Sequence, residues 1–149
     1  MKNIKTVMTT VLLLMSSLSF AQQLNDNIKK AFKTDDADAL LAEVKTQKVT
    51  INDCFDIEDA SYTLLSLSIK MNKSNIFNAL LAAKADLNKV CSDKTPLMYA
   101  AKYGELTFAK ALLKAGADIS VKNAEGKTAF DYAIKYQKLE LQTLLKPTK

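Results

Sequence analysis

Beyond residue 22 the apolar residues come in short clusters separated by polar turns. The clearest stripe is Leu106, Ala109, Leu112 and Leu113, whose spacings of three and four put them on one face of a helix. Gly116 stops that helix. A shorter helix precedes it. Thr95 can cap its start by accepting from exposed backbone N–H groups, and Pro96 fits the first helical position, where its missing N–H is not needed. Ala100 and Ala101 are small enough for helices to approach closely. Gly104 supplies the left-handed residue that ends the helix, and Asn72 holds the same place one unit earlier. The predicted unit is two short helices and a turn.

The unit recurs with a period near 33. Thr95-Pro96-Leu97-Met98-Tyr99-Ala100-Ala101-Lys102-Tyr103 aligns with Thr128-Ala129-Phe130-Asp131-Tyr132-Ala133-Ile134-Lys135-Tyr136. Asn78-Ala79-Leu80-Leu81-Ala82-Ala83-Lys84-Ala85-Asp86-Leu87 aligns with Lys110-Ala111-Leu112-Leu113-Lys114-Ala115-Gly116-Ala117-Asp118-Ile119. A weaker first copy runs through Ile28, Ala31 and Phe32 to Ile51-Asn52. Its spacing to the second copy is longer, about 36 residues from Ile51 to Leu87, which places an insertion near residues 53–61. One such unit cannot enclose a core, so copies must stack, and about three or more are needed for stability.

The first 21 residues have a different character. Lys2 and Lys5 make a positive start, Val7 to Phe20 carries no charge, and Ser19 and Ala21 are small residues before Gln22. This is the three-part pattern of an export signal cut before Gln22. The uncharged stretch of 14 residues is short of the ~20 a spanning helix needs. The expected product is a mature chain of residues 22–149, periplasmic or secreted, with no membrane insertion after cleavage.

These residues resemble the ankyrin repeat family. The resemblance rests on Thr95-Pro96-Leu97, Ala100-Ala101, Gly104, Leu112-Leu113 and Gly116-Ala117-Asp118-Ile119. It is repeated in Gly126-Lys127-Thr128-Ala129-Phe130-Asp131-Tyr132-Ala133 and Leu144-Leu145. It implies an all-α solenoid of about four helix-turn-helix repeats with short hairpin tips, over approximately 24–52, 53–89, 90–122 and 123–146. It also implies an interaction module without catalysis, binding another protein. Two departures bear on helix ends. The family's helix-opening His is Met98, Asp131 or Ser66 here, so its hydrogen bonds are expected to be missing, and Gln137 stands where Gly104 stands. Gln142 replaces Ala109 on the buried stripe, as expected of an end copy facing water.

Composition narrows the chemistry. Histidine is absent, which removes Ser-His-Asp and Cys-His catalysis and the commonest metal ligand. Two cysteines cannot make a four-ligand zinc site without carboxylates. No catalytic residue, metal or cofactor is therefore expected. All 21 basic residues are Lys, and the lack of Arg's bidentate fork weighs against nucleic acid despite a pI near 9.1. Residues 22–61 hold five Lys against nine acidic residues, whereas residues 62–149 hold fourteen Lys against seven, so an acidic partner should meet the second half. Asp35, Asp36 and Asp38 sit near a helix start, where negative charge suits the dipole. Asp53, Asp56, Glu58 and Asp59 in the insertion are the alternative site, for a small hydrolase or a calcium-dependent protein. They lack the Gly and alternate-residue spacing of an EF-hand loop.

Carried over residue by residue, the family's recognition positions are unusually alike here. The first helices present Lys33, Lys70, Lys102 and Lys135, one per copy, beside Thr34, Met71, Tyr103 and Tyr136. The tips offer Tyr62, Lys94 and Lys127. Tyr99 and Tyr132 are expected to pack inside the stack. The expectation is a lysine ladder on a concave face of a monomer, against the plainer alternative of a solvated lysine face. Cys54 and Cys91 follow the equivalent Asn52 and Asn88, so both belong to adjacent hairpin tips. In an oxidising compartment two cysteines are naturally a pair, although a bridge needs Cα atoms within ~7 Å and stacked helices lie ~8–10 Å apart. A bridge between leaning tips is the expectation, and two reduced thiols the alternative.

Overall fold

A computed structural model describes residues 24–147. The export pattern lies outside them. Eight helices fall into four antiparallel pairs among the described residues: α1 (Asp26–Thr34) with α2 (Ala37–Gln47), α3 (Leu64–Lys70) with α4 (Ser74–Ala82), α5 (Pro96–Tyr103) with α6 (Leu106–Ala115), and α7 (Ala129–Lys135) with α8 (Leu139–Leu145). The first helices α3, α5 and α7 stack in series, while α2 packs on α4 and α6 on α8. Ala100, Ala101 and Ala133 are fully buried between the first helices, and Phe77 meets Phe108 at 4.6 Å between ring centroids to join α4 to α6. Leu40, Leu80 and Leu112 line the other side of the same continuous core.

Local chemistry sets the helix boundaries. Asn25, Asp36, Thr63, Thr95 and Thr128 each accept from the backbone N–H three residues on, removing one unsatisfied donor per helix start. At the far ends of the first helices Asp35, Asn72, Gly104 and Gln137 all take left-handed backbone, with φ of 54°, 54°, 81° and 54°. Gln137 thus performs the turn that Gly104 performs, at the steric cost a Cβ brings there. The second helices α4, α6 and α8 have no cap of their own. In α4 the preceding unit supplies one: the Asp35 carboxylate accepts from Asn75 N and Ile76 N at 3.1 and 3.0 Å.

The expectation that the helix-opening hydrogen bonds are missing is corrected by the structure. Asp131 closes a capping box, its carboxylate accepting from Thr128 N at 2.8 Å, which holds it below the usual carboxylate range. Met98 Sδ takes the equivalent N–H of Thr95 at 3.5 Å, and the Ser66 hydroxyl lies 3.1 Å from that of Thr63.

The insertion departs from an all-α chain. Phe55–Ile57 (β1) and Ala60–Tyr62 (β2) pair antiparallel, Phe55 opposite Tyr62, around a tight turn with Glu58 at φ 55°. Alternation drives this: Phe55 and Tyr62 are buried on one face while Asp56 faces solvent. Further along, Asn52 Oδ1 accepts from Asp86 N, and Asn88 Oδ1 from Asp118 N, at 2.8 and 2.9 Å, so each tip is registered on the next. The Cα atoms of Cys54 and Cys91 lie 5.8 Å apart, with their sulfurs at bonding distance. The hairpin supplies the lean that two parallel tips lack.

Candidate functional site

The five tyrosines of the chain lie in or beside the first helices α3, α5 and α7. Tyr62 lies against Tyr99 with ring centroids 4.9 Å apart. Tyr99 stacks on Tyr103, and Tyr132 on Tyr136, at 6.2 and 6.3 Å with ring planes within 8° and 9° of parallel. The i, i+4 spacing within each helix makes the two pairs, and the 33-residue period sets them side by side. Burial pushes the Tyr103 hydroxyl up to about 12, with the nearby Tyr62 adding to it, and burial raises Tyr99 further still. Both rings stay neutral and able to donate at neutral pH.

Lysines thread between the rings. Lys70 Nζ stands 4.5 Å over the Tyr62 ring and donates to the Tyr62 hydroxyl at 3.0 Å. Lys94 Nζ is 5.8 Å from the centroids of both Tyr99 and Tyr132. Lys102 stands 5.2 Å from Tyr103 and 6.0 Å from Tyr136, and Lys135 5.7 Å from Tyr136. A cation over a ring face is held by the ring quadrupole, so each ammonium is positioned without a carboxylate. Among the described residues the ion pair is Lys29–Asp26, on α1, with Lys29 lining the same cleft as Lys70. None of the four ammoniums of Lys70, Lys94, Lys102 and Lys135 makes an ion pair among those residues, while Asp56 and Glu58 share a cleft with Lys70, and Glu125 and Asp131 share one with Lys135.

Of the residues expected from sequence, the structure brings together Lys70, Lys94, Lys102, Lys135, Tyr103 and Tyr136. Met71 is exposed beside Lys70. Lys33 is exposed on α1, and Lys127 is exposed at the last tip, lining a cleft of about 320 Å³ with Glu125, Asp131, Tyr132, Ile134 and Lys135. Tyr62 is not an exposed tip contact. Only 4% exposed, it is pinned between β1 and Tyr99, and acts as the floor under Lys70. Tyr99 and Tyr132 are buried as expected, yet they carry Lys94 and so belong to the site as well. The signal for that was the repeat itself, which places Lys94 just before one Tyr-bearing helix and one copy ahead of the other. At the other end the groove opens into a cleft of about 540 Å³ between Leu24, Phe32, Leu67 and Met71, overhung by Asp56 and Glu58 of the hairpin.

The acidic side chains Asp53 and Asp56 of the insertion bond locally. Asp53 accepts from the amide and hydroxyl of Thr50, and Asp56 from the hydroxyl of Ser61. Among the described residues no three His, Cys, Asp or Glu side chains come together as a metal site.

Residues 80–133 match the family model described as ankyrin repeats in many copies. That stretch carries ankyrin repeats. It is 36% identical over 90 residues to an ankyrin repeat protein of Rickettsia bellii, covering 54% of each chain. It is 35% identical over 81 residues to an ankyrin repeat-containing protein of Treponema pallidum, covering 52% of this chain and 27% of that one. It is also 37% identical over 75 residues to the human ankyrin repeat and KH domain-containing protein 1, covering 50% of this chain and 3% of that one. The chain therefore spans about half the length, or less, of these curated relatives. Ankyrin repeats are generally protein–protein interaction modules. Among the described residues no helix is long and apolar enough to cross a membrane.

Proposed function

We propose that this ankyrin-repeat chain is an exported, non-catalytic monomer that binds another protein through the concave lysine–tyrosine face, as escort or inhibitor of an envelope or foreign protein. The observation that carries the reading is the row Lys70, Lys94, Lys102 and Lys135, each ammonium within 6.0 Å of a tyrosine centroid and none in an ion pair among the described residues. Such a surface favours an acidic partner and speeds its approach at low salt. Export is supported by the Lys2–Ala21 pattern and by the closeness of Cys54 and Cys91, which an oxidising compartment would join.

The test is capture from an envelope extract with residues 22–149 as bait. The comparison bait carries Lys70→Glu, Lys102→Glu and Lys135→Glu, and the control Lys84→Glu, Lys114→Glu and Lys146→Glu. A partner lost with the first set and kept with the second supports the groove; equal loss refutes it. N-terminal sequencing of the protein from its native host checks export, which a chain beginning at Met1 would overturn.

A further inference from the structure

The spacing of the row carries more than its charge. Lys70, Lys102 and Lys135 each stand two residues before a left-handed helix end, at Asn72, Gly104 and Gln137, so they hold equivalent places on α3, α5 and α7. Helices packed side by side lie ~8–10 Å apart, which sets the interval between rungs. Tyr103 and Tyr136, each stacked on the buried Tyr99 or Tyr132 beneath it, hold equivalent places on α5 and after α7 and give the row an aromatic edge.

Resting on the groove reading above, we propose that the occupant is an acidic segment of a partner protein in polyproline II conformation, with Asp or Glu at every third residue. Polyproline II has three residues per turn and rises ~3.1 Å per residue, so side chains at i, i+3 and i+6 share a face at ~9.3 Å intervals. That interval matches the stack to within the reach of a lysine side chain over three rungs. A β-strand presents same-face side chains every ~6.6 Å and loses register by the third rung. An α-helix can match only at every seventh residue, ~10.5 Å, and it spends its backbone carbonyls internally. Polyproline II leaves its carbonyls free, and the half-buried Tyr103 and Tyr136 present hydroxyl donors beside the lysines. Aromatic-lined grooves are also the surfaces on which such segments dock.

The test is fluorescence anisotropy of residues 22–149, bridged as isolated, with four labelled probes. These are four repeats of Glu-Pro-Pro, a peptide of the same composition with the four Glu contiguous, an alanine-based helical peptide with Glu at every seventh position, and an oligothymidine of 12 nucleotides. The expected result is that the every-third peptide binds about tenfold tighter than the contiguous one, from two added exposed charge pairs worth roughly threefold each. Lys102→Gln with Lys135→Gln, both at exposed or half-exposed positions, should abolish that preference. Equal binding of the two proline peptides, binding of neither, tighter binding of the helical peptide, or tighter binding of the oligothymidine each overturns the inference. The broader groove reading fails separately, when the triple Glu bait retains its partner.

Discussion

Replacing Asp35 should test the stacking chemistry most directly, because one side chain serves two units. Its carboxylate accepts from Asn75 N and Ile76 N at the start of α4, 40 residues away, while its own backbone is left-handed at φ 54°. Asp35→Ala removes a helix cap, worth about 1 kcal/mol, and a negative charge at a helix N-terminus, worth about 0.5. It also puts Ala into left-handed backbone, at about 1 more. The expected loss is about 2.5 kcal/mol, a large part of the ~5–15 kcal/mol that holds a domain folded. Asp35→Asn keeps one acceptor oxygen and tolerates the backbone, so it should lose about 1 kcal/mol. Asp38→Ala, in the first turn of α2 and exposed, should lose only the dipole contribution, about 0.5 kcal/mol. Urea titration of residues 22–149 followed by far-ultraviolet circular dichroism measures all three. If Asp35→Ala costs no more than Asp38→Ala, the cap across units contributes nothing and the argument fails.

Thiol titration of the denatured, unreduced mature chain should find no free thiol, and reduction should cost about 4 kcal/mol by the chain-entropy model for a separation of 37 residues. An unchanged melting temperature would show that the bridge does not stabilise. Gln137→Gly should relieve left-handed strain and raise stability by about 1 kcal/mol in the same urea assay; a loss there would mean the side chain is wanted. Tyr103 has its folded pKa raised from 10.0 to about 12, so its contribution to stability is fully present below pH 10 and is lost as pH rises towards 12. Absorbance of tyrosinate against pH should show rings that titrate late in the folded chain and at about 10 in urea; five rings titrating together near 10 in both would contradict it.

What was legible in the sequence is what is local. Thr95, Thr128, Gly104 and the stripe at Leu106–Leu113 announce their roles within a few residues, and the period near 33 multiplies them. Asp35 also stood out, but as an acid near the helix that follows it; that role belongs to Asp36, and the bonds of Asp35 reach 40 residues away. The β1–β2 hairpin was hidden because its turn uses Glu58 at positive φ where Gly or Asn would have signalled it. Tyr62 was misplaced for the same reason, since its burial depends on that hairpin. The lysine row was legible as a repeat of residue type; its pairing with ring faces needed the stack.

The bonds between units have a direction. Asn75 and Ile76 give their amides to Asp35, Asp86 to Asn52, Asp118 to Asn88 and Ala124 to Asp93; among the described residues Ser61, reaching Ser92, runs the other way. Each unit is thus capped mainly from its N-terminal side. When the last unit opens, the acceptors it leaves behind simply meet water, and the unit before it keeps its own caps. When the first unit opens, α4 loses Asp35 and the next tip loses Asn52 together. Amide hydrogen exchange should therefore be quickest in α7 and α8 and shed one unit at a time from that end. Loss of the first unit should propagate inward.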